Sequence, residues 1–401
     1  MKKVLFVSYL FPPIGMSQRT LKFVKYLPEF GWIPVVLAPE KSNYIRFDPT
    51  MVKEIPSECI VKRIPFCEEV PGNPLVTQHF LKKGWYPLAS KIGTELIRQE
   101  NIDMIYTTSA PYISHSVGFN LKTRTQKPWI ADFRDEWTTN PFIKNHYKGE
   151  LLEFNKRLEK KVLKNADTII SVSPHITNTL YQLSEEKLKD KFYTIMNGYD
   201  KQDIEQITPK PITNKFRICY MGSLYGMIKT LAMEFFNCLD DAISQKKLNR
   251  QEIELSIISD PLKQIRPNLL EITNNIGYLP HIEALNHAAS ADLILLFIHP
   301  GQGDQTVTSK IFELINLKKP ILALVPPNGE AANIIRKTET GVVIDSNTPE
   351  KCIPYVIRYF NLWKQGKNKI SPNLEEIQKY DRKKLTQELA KIMDSIVNIK
   401  D

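Results

Sequence analysis

Residues 304–327 read DQTVTSKIFELINLKKPILALVPP. A polar loop, DQTVTS, runs into a short helical pattern that carries Lys310 and Glu313 and ends at LKKP. The apolar run ILALV follows and is stopped by Pro326 and Pro327. Five apolar residues in a row are too few for a helix and do not alternate with polar ones, so they read as a strand buried on both faces. A polar loop, a helix and a buried strand in little more than twenty residues form the local unit of an α/β sheet.

That unit recurs along the chain. Candidate strands in the first half are KVLFVS, IPVVLA, CIVKRI, MIYTTS, PWIAD, TIISVS and FYTIMN, with longer helical patterns between them. After the polar, proline-marked segment QITPKPITNK (206–215) a second series runs FRICYMGS, IELSIIS, NNIGYL, DLILLFI, PILALV and GVVID. Two successive series predict an α/β protein with two Rossmann-like doubly wound domains, 1–205 and 206–375. A helical segment, 376–401, closes the chain with no strand after it.

Gross composition narrows the class. A chain of 401 residues exceeds what one hydrophobic core normally serves. No apolar run approaches the length of about 18 residues that spans a membrane. The N-terminal run Val4–Val7 stops at Ser8 and lacks a small-residue cleavage site, so it reads as a first strand and a cytoplasmic protein is expected. The five cysteines are scattered, with neither zinc nor redox spacing, and read as reduced thiols. Net charge is +10, spread over both halves. Nucleic acid, an anionic membrane surface and phosphorylated substrates all attract such a surface. Without a zinc finger, an RNA-recognition signature or a helix-turn-helix, no nucleic-acid partner is expected. The stretch TQHFLKKGWYPLASKIG mixes Phe80, Trp85 and Tyr86 with Lys82, Lys83 and Lys91, which suits a peripheral contact with anionic lipid or an ordinary packed helix.

Ligands of open α/β sheets bind beyond the carboxyl ends of the strands, so those loops hold the candidates. In SYLFPPIGMSQRTLKF, Gly15 permits a tight turn and Ser17 is placed to cap the next helix, whose N-terminus suits an anion or sugar hydroxyls and makes Gly15 a candidate donor contact; a proline-glycine turn with Arg19 in solvent is the plain alternative. His115 follows MIYTTS. Asp132, Arg134 and Asp135 follow PWIAD, either as a mutual ion-pair cluster or as a site in which Arg134 meets developing negative charge. Gly222 and Ser223 end FRICYMGS, with Lys229 close behind, a pattern that can cradle and neutralise a phosphate. Lys310 and Glu313 share a helical face, where an i,i+3 ion pair is the plain alternative.

Taken together, SYLFPPIGMSQRTLKFVKYLPEFGW, WIADFRDEW, VLKNADTIISVSP, IMNGYD, MGSLYG, IGYLPHIEAL and TSKIFELINLKKPILAL resemble the retaining glycosyltransferases of the GT-B fold, glycosyltransferase family 4. The resemblance implies two Rossmann-like domains facing across a cleft, with the terminal helix crossing back to the N-terminal one. It also implies a UDP- or GDP-sugar as donor substrate, no cofactor, and a glycan or lipid-linked acceptor in surface polysaccharide synthesis. By the same resemblance Gly222, Ser223, Lys229, Thr308, Ser309 and Lys310 approach the diphosphate, Glu313 the ribose and Tyr278 the base. Asp132, Arg134, His115 and Lys310 are the candidate catalytic residues. The first glutamate of the family's E-x7-E motif falls on Gln305, and a histidine frequent near DFRD in relatives is absent there. No DxD metal motif is present, since Asp132 and Asp135 have the wrong spacing, and a metal-independent hexosyl transfer is expected. A sugar-nucleotide epimerase or hydrolase, or a silent glycan- or nucleotide-binding protein, would fit the same residues.

Overall fold

The computed structural model describes residues 1–40, 47–65, 84–140, 148–185, 188–209, 214–259 and 266–398. The chain divides into two units, Met1–Asn197 with Arg382–Asp401, and Gly198–Asp381. The change-over thus follows Asn197 rather than residue 205, and the last helix belongs with the first unit. Part of the proline-marked segment, 210–213, lies outside the described residues.

Seven parallel strands build the first unit: β1 (Lys2–Ser8), β2 (Trp32–Pro39), β3 (Ile60–Ile64), β4 (Met104–Thr108), β5 (Trp129–Phe133), β6 (Thr168–Ser171) and β7 (Phe192–Thr194). Their order is β3-β2-β1-β4-β5-β6-β7, with the switch point between β1 and β4. Alternate residues feed two cores. Leu5 and Val7 face one side of the sheet with Leu37 and Ile105, while Val4 and Phe6 face the other with Val36 and Tyr106. The helix Arg382–Asn398 covers the second face through Leu385, Leu389 and Met393, which recur every four residues. Burying each of these side chains stabilises the unit by about 1.5–3 kcal/mol. Asp394 anchors the helix by accepting from Lys2 Nζ at 2.9 Å and Trp32 Nε1 at 3.1 Å.

Six parallel strands build the second unit: β8 (Phe216–Met221), β9 (Ile253–Ile258), β10 (Thr273–Asn275), β11 (Leu293–Phe297), β12 (Ile321–Val325) and β13 (Gly341–Asp345). The order is β10-β9-β8-β11-β12-β13, switching between β8 and β11. Tyr220, Phe235, Phe236 and Phe297 form its aromatic centre, with Tyr220 stacked on Phe297 at 5.1 Å. The run ILALV is β12 and is wholly buried, as its composition requires. NNIGYL supplies only the last residues of the edge strand β10, since Gly277 turns the chain at φ +86°.

The helix expected to carry the possible lipid contact is Trp85–Gln99. Trp85 is buried against Tyr9 at 5.3 Å and Tyr86 packs against the same core, so these two rings face inward. Phe80, Lys82 and Lys83 lie outside the described residues.

Candidate functional site

In the second unit the candidate residues collect on the loops that leave β8 and β11. Gly222 follows β8 directly, and its N–H donates to Ile258 O at 3.1 Å. A Cβ on Gly222 would sit 2.7 Å from the Tyr220 hydroxyl and 3.3 Å from Lys310 Nζ. Lys310 therefore brings its ammonium onto the bare backbone of the Gly222–Ser223 turn, where a side chain would intrude. The next helix, Gly226–Ser244, begins here with no side-chain cap, leaving first-turn N–H groups for an anion, and Lys229 lies in that turn.

After β11 the loop is ordered by its own polar groups rather than by water alone. His299 N–H donates to Gln302 Oε1 at 2.9 Å, and Gly301 N–H donates to His299 Nδ1 at 3.0 Å. Gln305 folds back on Gly303, whose φ of +86° and lack of a Cβ leave room for the amide. Thr308 and Ser309 lead into a helix of only four residues, Ile311–Leu314, with Lys310 at its N-cap. Glu313 Oε1 lies 3.3 Å from His281 Nε2, and Asp203 Oδ2 is 3.6 Å from the same nitrogen. His281 opens the helix His281–Ala289 three residues after Tyr278, which stands 54% exposed. The structure thus groups Gly222, Lys310, Glu313 and His281 at the carboxyl ends of the strands.

The first unit revises several expectations. Gly15 does not supply the left-handed turn; Met16 does, at φ 64°. Ser17 does not cap the following helix, and its hydroxyl donates instead to Ile14 O at 2.7 Å. Arg19, which the plain alternative leaves in solvent, is 2% exposed and grips Asp132 with two bonds, Nε to Oδ2 at 2.9 Å and an NH2 nitrogen to Oδ1 at 2.8 Å. Burial works to raise the Asp132 pKa, but Arg19 and the Tyr106 and Thr108 hydroxyls reverse this and hold it below the usual carboxylate range. Asp132 is therefore a buried anchor whose carboxylate is taken up by Arg19 and its neighbours. Arg134 makes a different contact, donating from NH1 to Met16 O at 2.9 Å, and remains partly exposed beside the exit of β1.

His115 is wholly buried in the helix Ile113–Thr125, against Phe133 at 4.5 Å. Its Nδ1 lies 2.8 Å from the Thr107 hydroxyl, and Nε2 has no hydrogen-bond partner among the described residues. Burial pushes its pKa down to about 3 although Asp132 opposes the shift. A ring in this position neither reaches solvent nor gains a proton at neutral pH. It too is structural.

His281 was not legible as a site residue, nor Arg19 as the buried partner of Asp132. Arg19 carried a signal in Phe23 four positions on, over whose ring the guanidinium lies at 4.8 Å. His281 follows the GYLP turn that the sequence had already singled out.

Residues 14–203 match the family described as Glycosyltransferase Family 4. Over this segment the chain resembles glycosyltransferase family 4. The whole chain has the two-sheet architecture of GT-B glycosyltransferases. The crystal structure of a glycosyltransferase from Rickettsia africae ESF-5 is similar over 99% of this chain and 98% of that one, with a TM-score of 0.65 and 16% identity. Anabaena HepE in complex with UDP matches over 98% and 100%, with a TM-score of 0.65 and 16% identity. UDP-GlcNAc 2-epimerase from Neisseria meningitidis, bound to UDP-GlcNAc, matches over the full length of both chains with a TM-score of 0.59 and 13% identity. At these identities the likeness concerns the fold. Among curated proteins none matches this chain.

Proposed function

We propose that the protein is a glycosyltransferase that moves a sugar from a nucleoside-diphosphate donor, UDP-sugar first, to a glycan or lipid-linked acceptor in surface glycoconjugate synthesis. The observation that carries this reading is the Lys310 ammonium lying against the bare Gly222 backbone, with Glu313 on the next turn. A departing nucleoside diphosphate needs positive charge and N–H donors where its negative charge grows. Lys310, the turn at Gly222–Ser223, Lys229 and the open first turn of Gly226–Ser244 supply both. Glu313 accepts hydrogen bonds from the ribose hydroxyls, with His281 orienting its carboxylate. Tyr278, exposed beside Gly277, offers a ring face to the base. Gln305 and the amides at Thr308 and Ser309 border the donor sugar. Transfer then needs no enzymic nucleophile, because the leaving phosphate assists attack by the acceptor hydroxyl on the same face, with retention. In the first unit, Arg134 is the candidate that meets the reacting groups.

A second reading, a sugar-nucleotide epimerase or hydrolase, is favoured by the likeness to a UDP-GlcNAc 2-epimerase. Incubation with UDP- and GDP-sugars without acceptor separates the two. Turnover without acceptor overturns the transferase reading, whereas turnover that needs a glycan or lipid acceptor supports it. In calorimetry, Glu313→Ala is expected to weaken UDP binding by about ten- to hundredfold, the worth of charge-assisted bonds of about 1.5–3 kcal/mol. Unchanged affinity would remove the ribose role.

A further inference from the structure

The second unit holds a cavity of about 770 Å³ at the opposite, amino-terminal ends of its strands. Arg217 at the start of β8, Asp292 just before β11, and Lys318 and Lys319 just before β12 line it, with Lys369 and Trp363 completing the wall. Four cations therefore face one carboxylate. Asp292 accepts from the Arg217 main-chain N–H at 2.9 Å. The Arg217 Nε is buried with no hydrogen-bond partner, and no ion pair engages its guanidinium among the described residues. Asn368 Nδ2 donates to Asp292 O at 2.8 Å, while Asn368 Oδ1 is likewise buried and unpartnered. A buried guanidinium nitrogen and amide oxygen without partners are uncommon in folded proteins, and each costs about 1–3 kcal/mol until a ligand or water satisfies it.

Lys318 adds an independent observation. Its φ is +54°, in the left-handed region where glycine is the least strained residue. The chain nevertheless places a long cationic side chain there, at the mouth of the cavity. Burial lowers the Lys319 ammonium below its ordinary value; Asp292 offsets this and Arg217 adds to it, so an entering anion would relieve both cations.

We propose that this cavity is a second ligand site that binds a phosphorylated small molecule. Arg217, Lys318, Lys319 and Lys369 hold the phosphate by charge-assisted hydrogen bonds. Asn368 Oδ1 accepts from a hydroxyl of the ligand, and Trp363 supplies an apolar face. The volume lies in the usual range of small-molecule pockets, about 300–1,000 Å³. β8 carries Arg217 near its start and leads directly into Gly222, and the short chain from Glu313 leads to Lys318, so the same elements reach both ends of the sheet.

Inorganic pyrophosphate is the probe, titrated calorimetrically into the full chain and into Lys310→Ala, which weakens the donor-side anion contacts. Binding is expected to persist in Lys310→Ala. It is expected to weaken by about tenfold or more when Arg217→Gln, Lys318→Gly and Lys369→Gln are combined. Lys318→Gly and Lys369→Gln alone change only exposed side chains, so this pair is the measure if the Arg217 variant does not fold. UDP affinity is expected to be unchanged by the pair, which separates this site from the proposed donor site. A chain that binds no pyrophosphate in the Lys310→Ala background, or a cavity variant that titrates like its parent, overturns the proposal.

Discussion

Arg19 and Asp132 form a two-bonded ion pair with side chains 2% and 1% exposed, linking the first helix to the end of β5. Arg19 also donates to Met196 O at 3.1 Å, so the same guanidinium fastens the end of the first unit. Removing either charge strands the other in the interior. Asp132→Asn is expected to destabilise the first unit by about 3–5 kcal/mol. Arg19→Met with Asp132→Leu should cost less than the sum of the single changes, because no lone charge remains. Since the Asp132 pKa lies lower in the folded chain, its contribution is present above the unfolded value of 3.8 and is lost as pH falls through the folded one. Thermal melts of the single and double variants, repeated in acid, measure each statement.

His115 titrates in a neighbouring window. Its pKa falls from 6.5 to about 3 on folding, so between these values the unfolded chain binds the extra proton. Stability is therefore full above about pH 6.5 and is lost as pH falls toward 3, with a limiting slope of about 1.4 kcal/mol per pH unit. His115→Gln is expected to flatten that slope in melts taken from pH 7 to pH 4, whatever it does to stability at pH 7. An unchanged slope would mean that the ring does gain its proton in the fold.

Glu159 acts in the opposite sense. It is 2% exposed, its Oε2 accepts from Thr138 N at 3.3 Å and from the Thr138 hydroxyl, and its Oε1 has no partner among the described residues. Burial raises its pKa from 4.5 to about 7; the Thr138 bonds oppose this and Glu136 adds to it. Stability from this group is full below pH 4.5 and is lost as pH rises through about 7. Glu159→Gln keeps the shape without the charge, and at pH 8 it is expected to be more stable than the parent by about 1–3 kcal/mol. At pH 5 that advantage should shrink toward zero.

The strands were legible because a parallel sheet covered on both faces must be apolar throughout, as ILALV and KVLFVS are. The grouping of Lys310 and Glu313 near one loop was legible because both lie in the connection between β11 and β12. Asp132 was misread because its partner stands 113 residues away, and no local pattern announces a pair at that separation. His115 was misread for a related reason: a histidine at a strand's carboxyl end looks the same in sequence whether its ring points outward or under Phe133. Glu313 shows the same limit, since its contact with His281 comes from another helix rather than from Lys310 three residues before it.

Gly222 makes the donor half of the proposal testable by shape alone. An added methyl would meet the hydroxyl of Tyr220, which is buried and held by Phe297 and by its bond to Ser223 O at 3.3 Å, so that ring has nowhere to retreat. The turn must shift instead, away from Lys310. Overpacking of this kind costs about 1–3 kcal/mol, which corresponds to a loss of roughly five- to 150-fold in UDP affinity for Gly222→Ala if the strain falls on the bound form. Tyr220→Phe removes the obstructing oxygen and should restore much of that loss in the double variant, while changing UDP binding little by itself. Calorimetry with UDP on the two single variants and the double variant reads the result. Loss without rescue would show that Gly222 matters for its backbone conformation rather than for the space beside Tyr220 and Lys310.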